Sequence, residues 1–213
     1  MRDGSPAATG AMEPIFLRRG VPGDKQTVID MIDEAATWLR SMGTNQWASP
    51  WPDRDARDAR VQQGLDDRRT WIAEDAGGPV GTITFRQNAN PKLWSALEQG
   101  ERAVYVSRLV VSRRSAGQEI GARLINWAGH RARQEWGAQW IRIDVWTTNF
   151  ALHRYYISQG FEFCRFCDDA EYPSAALFQK PTEGILPPDT VRPHSAEAAI
   201  PGEAGLVSIA LPE

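Results

Sequence analysis

Cysteine is nearly absent from this chain: Cys164 and Cys167 are its whole complement in 213 residues. Two thiols cannot staple a disulfide scaffold, so a hydrophobic core has to hold the fold. Their C-x-x-C spacing invites a redox or zinc reading, yet no second C-x-x-C and no paired histidines accompany it. The pair is expected to be reduced and structural, with no metal bound. Runs of about 18 apolar residues are missing as well, which excludes a membrane-spanning helix, and the first 12 residues lack the apolar stretch of a secretory signal. A cytoplasmic protein without a membrane partner is the expectation. Excess basic charge is also lacking. A formal net charge of −3 and a pI near 5.7 argue against a protein that works by neutralising the phosphates of a nucleic acid.

What is present suits one mixed domain. With 42% hydrophobic residues, the chain can fill one sizeable core, and two full domains would be cramped. Residues 1–13 are rich in Gly, Ser, Ala and Pro and read as a leader, residues 14–180 as the domain, and residues 181–213, with six prolines, as a tail of little regular structure. Within the domain, a short strand at 15–17 precedes an amphipathic helix that starts at Asp24 and closes at Gly43, and a charged helix over 53–69 follows. Residues 70–74 and 80–86 flank the turn Asp75-Ala-Gly-Gly-Pro79, a hairpin signal. A third strand at 103–111 runs into a glycine-bearing turn and a helix over 117–136. A strand at 141–145, a helix from Asn149 to before Gly160, and strands at 161–166 and 175–179 complete the order β-α-α-β-β-β-α-β-α-β-β. The class is α/β with a mixed sheet, not a doubly wound one.

The strand–turn–helix at 109–122 is a physical anion site. Amides of the turn and of the first helical turn point at a ligand, aided by the helix dipole. Gly117 lets backbone approach a phosphate and Gly121 lets the helix sit close beside it.

Three segments, LVVSRRSAGQEIGARLI at 109–125, IRIDV at 141–145 and NFALHRYYISQGF at 149–161, together resemble the GNAT superfamily of N-acetyltransferases, and the element order matches that family over residues 15–180. The resemblance implies a GNAT-like central sheet and acetyl-CoA as co-substrate. It implies that Leu109, Val110 and Val111 offer main-chain groups to the pantetheine arm, and that Arg114, Ala116, Gly117, Gln118, Ile120, Gly121 and Ala122 cradle the pyrophosphate. Two positions depart from the family's loop: Ala116 stands where Arg is frequent, and Glu119 where a second glycine is usual. A carboxylate there crowds or repels the pyrophosphate, at a cost on the order of 1 kcal/mol.

The resemblance places Tyr156, seven residues after Asn149, as the acid that protonates the departing thiolate, its alternative being a packed core tyrosine. Asp144, five residues before Asn149, stands where some family members keep a general base, its alternative being a structural carboxylate paired with Arg142 or Arg108. Asn149 should cap its helix and can touch the pantetheine. His153 reads as a solvated side chain on the same helix. Trp38, Trp47, Trp51 and Trp94 are acceptor-side candidates, and with Asp33, Glu34, Asp53 or Asp55 nearby they could receive a cationic amine. The implied function is acetyl transfer to a primary amine of a small molecule. A protein N-terminal or Lys acetyltransferase and a non-catalytic acyl-CoA-binding module are the alternatives, and a homodimer stays open.

Overall fold

Period-two runs of Val, Ile, Phe and Trp build an eight-stranded sheet, and the stripes of apolar residues on the intervening helices cover its two faces. The computed structural model describes residues 13–167 and 172–193. In chain order these are strand β1 (Ile15–Arg19), helices α1 (Lys25–Ser41) and α2 (Arg54–Asp66), and strands β2 (Thr70–Asp75) and β3 (Gly78–Arg86). A one-turn helix α3 (Ala96–Gln99), strand β4 (Ala103–Val111) and helix α4 (Ile120–Trp136) follow. Strand β5 (Trp140–Val145), helix α5 (Phe150–Ser158) and strands β6 (Glu162–Phe166), β7 (Ala176–Pro181) and β8 (Val191–Pro193) complete the chain.

The strands lie in the order β6-β7-β5-β4-β3-β2-β1-β8. The ladder is antiparallel except where β4 meets β5 and where β1 meets β8. Helix α4 presents Ile120, Leu124, Ile125, Ala128 and Ala132 to one face, where they pack with Trp71, Ile83, Val104 and Ile141. Residues Leu152, Tyr155 and Tyr156 of α5 join the same cluster. Truncating Leu124, fully buried at its centre, to Ala would cost about 2–5 kcal/mol. The opposite face is covered by Val28, Ile29 and Ile32 of α1 and Val61 and Leu65 of α2, set against Ile72 and Val110.

Several expected boundaries move. Helix α4 starts at Ile120, not at 117, because Gly117 and Glu119 both adopt positive φ and hold the chain out of the helix. Asp24 opens α1 without capping it through its side chain, because that carboxylate is bound by the Arg18 guanidinium at 2.7 and 2.9 Å and by the Val21 amide at 2.8 Å. Regular structure also continues past residue 180. Ile185 packs against the main core, and β8 pairs in parallel with β1 from Ile15↔Val191 to Leu17↔Pro193. The leader at 1–12 and the tail from 194 lie outside the described residues.

Candidate active site

Strands β4 and β5 pair only from Ala103↔Trp140 to Val106↔Ile143 and then part. Strand β5 stays on β7 through Asp144↔Leu177 and Val145↔Ala176, so it is β4 that turns away. The cause is a bulge: between the pairs Thr82↔Val110 and Thr84↔Ser107, the single residue Ile83 faces both Arg108 and Leu109. Arg108 takes φ +47 there, a left-handed conformation that side chains with a Cβ rarely adopt. The extra residue also reverses the alternation of the strand. Val104 and Val106 point to the α4 side before the bulge, as Leu109 and Val111 do after it. Main-chain groups of residues 107–111 on the β5 side are therefore left without a strand partner, and they border a cleft of about 1400 Å³.

One end of this cleft is the turn into α4. Ser115, Ala116, Gly117, Glu119, Ile120 and Gly121 line it, and the first amides of α4 have no intrahelical acceptors. Gly117 has φ +82, and a Cβ added there would meet nothing within 4 Å, so the backbone is open to a ligand. The Ser115 hydroxyl is buried and has no partner among the described residues. Glu119 sits at the start of α4 with φ +54, where glycine would be unstrained.

The other end carries the ionisable groups. Arg142 and Asp144 lie on the face of β5 opposite to Ile141, Ile143 and Val145. Arg142 does not pair with Asp144; it reaches the Glu101 carboxylate, the Glu98 carbonyl at 2.6 Å and the Tyr105 hydroxyl at 3.2 Å. The Asp144 carboxylate instead accepts a long hydrogen bond of 3.4 Å from the Tyr172 hydroxyl. Burial pushes its pKa up to about 6, against the opposing pull of Arg86, the Tyr172 hydrogen bond and Arg108. Tyr156 is buried between Tyr155, Phe161 and Phe178 and also borders the cleft. Burial, and after it electrostatic coupling to Tyr155 and Asp144, raises its hydroxyl well above the usual phenol value. A phenol held neutral in this way is a proton donor at neutral pH.

These features converge with the comparisons to known proteins. The profile of the acetyltransferase (GNAT) family matches residues 32–161, more than half of the chain. The chain belongs to that family. It resembles the uncharacterized N-acetyltransferase YesJ of Bacillus subtilis (strain 168), with 29% identity over 148 residues that cover 66% of this chain and 77% of that protein. Among solved structures, a GNAT family acetyltransferase from Listeria monocytogenes 4b F2365 superposes with a TM-score of 0.64 at 24% identity, covering 78% of this chain and 94% of the other. The PaiA N-acetyltransferase of Thermoplasma acidophilum, solved in complex with coenzyme A, does so with a TM-score of 0.60 at 17% identity, covering 78% and 98%. At these identities the two structures confirm the fold alone. The family makes this protein an acyl-CoA-dependent N-acyltransferase.

As a GNAT enzyme the chain has a cleft whose open strand edge, unhindered Gly117 and orphan helical amides fit an acyl-CoA. Leu109, Val110, Val111, Ala116, Gly117, Glu119, Ile120, Gly121 and Asn149 all border it. Arg114 does not. Its guanidinium is bound to the Asp75 carboxylate at 2.8 and 3.0 Å and to the carbonyl oxygens of Gly78 and Pro79, so it fastens the loop to the β2–β3 hairpin. Gln118 and Ala122 also lie outside the cleft lining. The neighbouring Arg113 does border the cleft, its guanidinium 4.0 Å from the Trp38 ring centroid.

Sequence reasoning also missed Gln46, Tyr155 and Tyr172. Tyr155 lies over the start of α4, its hydroxyl oxygen 2.8 Å from where a Cβ on Gly121 would stand. His153 is not solvated: it is buried, with Nε2 2.9 Å from the Trp146 carbonyl. Trp94 leaves the acceptor list because it is core, stacked under Arg142 and Arg165. Two of the four expected acidic companions are occupied, Asp33 by Arg57 at 2.5 Å and Asp53 by the Ala56 amide at 2.8 Å. Cys164 and Cys167 are free thiols in the packing beneath Trp94.

Proposed function

We propose that this GNAT enzyme moves an acetyl group from acetyl-CoA to the primary amine of a small molecule. The observation that carries the reading is the meeting of Asp144 and Tyr156 beside the unpaired edge of β4, in the same cleft as the amides that begin α4. Pyrophosphate would rest on the turn at 115–121, with Arg113 beside it, and the pantetheine arm would take strand-like hydrogen bonds from residues 109–111. That path brings the thioester to the point where β4 and β5 part.

The Asp144 carboxylate takes a proton from the acceptor ammonium, directly or through water. The freed nitrogen lone pair attacks the thioester carbon, and the tetrahedral species collapses with cleavage of the C–S bond. The Tyr156 hydroxyl protonates the departing thiolate and is reprotonated, directly or through water, by the second proton lost from the attacking nitrogen. The proton held by Asp144 passes to solvent, so one proton is released per turnover and both groups return to their starting states.

Release of free thiol from acetyl-CoA over a panel of small amines tests the reading. Tyr156→Phe should keep acetyl-CoA affinity and lower kcat by about 10 to 1,000-fold. A wild-type protein that binds acetyl-CoA yet releases thiol with none of the small amines, while peptide N-termini or lysines are acetylated, would replace the acceptor class.

A further inference from the structure

The acceptor end of the cleft is more basic than a site for a simple amine requires. Arg60 of α2, Arg86 at the end of β3 and Arg108 in the β4 bulge come together there with Tyr172 and Asp144. Arg60 is engaged by the Trp51 carbonyl and ring, and Trp51 in turn meets the Tyr172 ring edge-on at 5.0 Å. Among the described residues, neither Arg86 nor Arg108 has a hydrogen-bond acceptor or an ion-pair partner within 4 Å, and the Nε of Arg108 is a buried donor left unpaired. A buried cationic donor without a partner, as at Arg108, is costly, and the strained backbone adds a second local violation at the same residue. Such violations concentrate where a ligand is to supply what is missing.

Coenzyme phosphates do not fill this role. From Arg108 to the start of the phosphate-facing turn at Ser112 the extended chain runs on the order of 13 Å, at about 3.3 Å per residue. Asp144 supplies one negative charge among three guanidinium groups. A polyamine would add positive charge to this end, whereas a zwitterionic or anionic amine would present its nitrogen to Asp144 and its anion to the arginines.

We propose that the acceptor carries an anionic group, a carboxylate or a phosphate, close to its amine, and that Arg108 and Arg86 bind that group. This rests on the amine-acceptor reading above and narrows it. Asp168, Asp169 and Glu171, just before Tyr172 in sequence, lie outside the described residues. If they supplied the counter-charge, an acidic amine would gain nothing over its neutral analogue, so the experiment decides that case as well.

Steady-state kinetics with acetyl-CoA would compare matched pairs: amino acids against their carboxamides, phosphoethanolamine against ethanolamine, and spermidine as the cationic extreme. The expected result is a kcat/KM at least tenfold higher for the acidic member of one pair, with spermidine poorest, and the pair that shows it separates carboxylate from phosphate. Arg108→Gln should lower the acidic-to-neutral ratio at least fivefold, chiefly through KM. Arg86→Gln, at an exposed position where folding is not at stake, should lower it in the same direction. Ratios near one in the wild type, or ratios unmoved by both substitutions, overturn the proposal. Thermal shift with the same amines in the presence of CoA separates the two readings. Arginine-dependent stabilisation by the acidic members without turnover sustains the anion site and removes the transfer reading. Absence of both turnover and stabilisation, with acetyl-CoA bound, removes the anion site.

Discussion

The side-chain amide of Asn149 donates to Gln46 Oε1 at 2.6 Å while its oxygen accepts from the Leu152 amide at 3.0 Å. One buried residue thus caps α5 and anchors the α1–α2 connection across the cleft. Asn45 reinforces the strap, its oxygen accepting from Trp146 Nε1 at 2.9 Å and from the Thr148 hydroxyl at 2.7 Å. Asn149→Ala removes the cap and leaves Gln46 unpaired, at an expected cost of about 1–3 kcal/mol. Asn149→Asp should cost less, because a carboxylate keeps the cap and Gln46 can turn its amide to donate. Urea denaturation of the three proteins orders them; an Asp variant as unstable as the Ala variant would show that Gln46 cannot turn.

Glu119 stands in the left-handed region at the head of α4. Two effects of Glu119→Gly oppose each other in the free protein. Relief of the left-handed backbone is worth about 1 kcal/mol, and loss of an acid near a helix N-terminus costs about 0.3–1 kcal/mol. Stability should therefore change by less than about 1 kcal/mol. With acetyl-CoA bound, phosphate takes the place the carboxylate crowds, so affinity should tighten by about 5 to 10-fold. Calorimetry gives the answer, and equal dissociation constants would mean that Glu119 points away from the phosphates.

The strand–turn–helix at 109–122 and the β5–α5 segment were legible because their physics is local: alternation, a glycine-bearing turn, an N-cap. The bulge was not. Residues 103–111 read as one uninterrupted strand without a glycine, and Arg108 takes its positive φ only because β3 offers one residue against two. Likewise, which of Arg113 and Arg114 enters the cleft depends on Asp75, 39 positions earlier, waiting on the hairpin. Strand β8 escaped because three residues ending in proline have no period, and only the open edge of β1 makes them a strand.

That division between adjacent arginines is open to measurement. Arg113→Ala removes a cleft-lining cation beside Trp38, and the KM for acetyl-CoA should rise about tenfold, as for one charge-assisted phosphate contact. Arg114→Ala breaks a solvent-exposed pair with Asp75. Exposed pairs contribute little, so its KM should change by less than about threefold. The reverse order would place Arg114, not Arg113, on the pyrophosphate.

Asp144 links catalysis and stability with opposite signs. Its carboxyl is raised by burial from an ordinary 3.8 to about 6, so kcat/KM should climb as pH rises through about 6, where the base becomes ionised. For stability, the unfolded chain gives up this proton near 3.8 and the folded protein holds it to about 6. The contribution is fully present below about pH 4 and is lost as pH rises through 6, because ionisation in the buried site is then unfavourable. Asp144→Asn never ionises. It should therefore abolish the pH 6 limb and most turnover, yet be more stable than the wild type by about 1–3 kcal/mol at pH 7 to 8 and nearly equal to it near pH 4. Urea midpoints across pH, read beside the pH–rate profile, check both halves. An Asn variant that is less stable at pH 8 would mean the carboxylate is held by Arg86 and Arg108 as a structural anion and is no base.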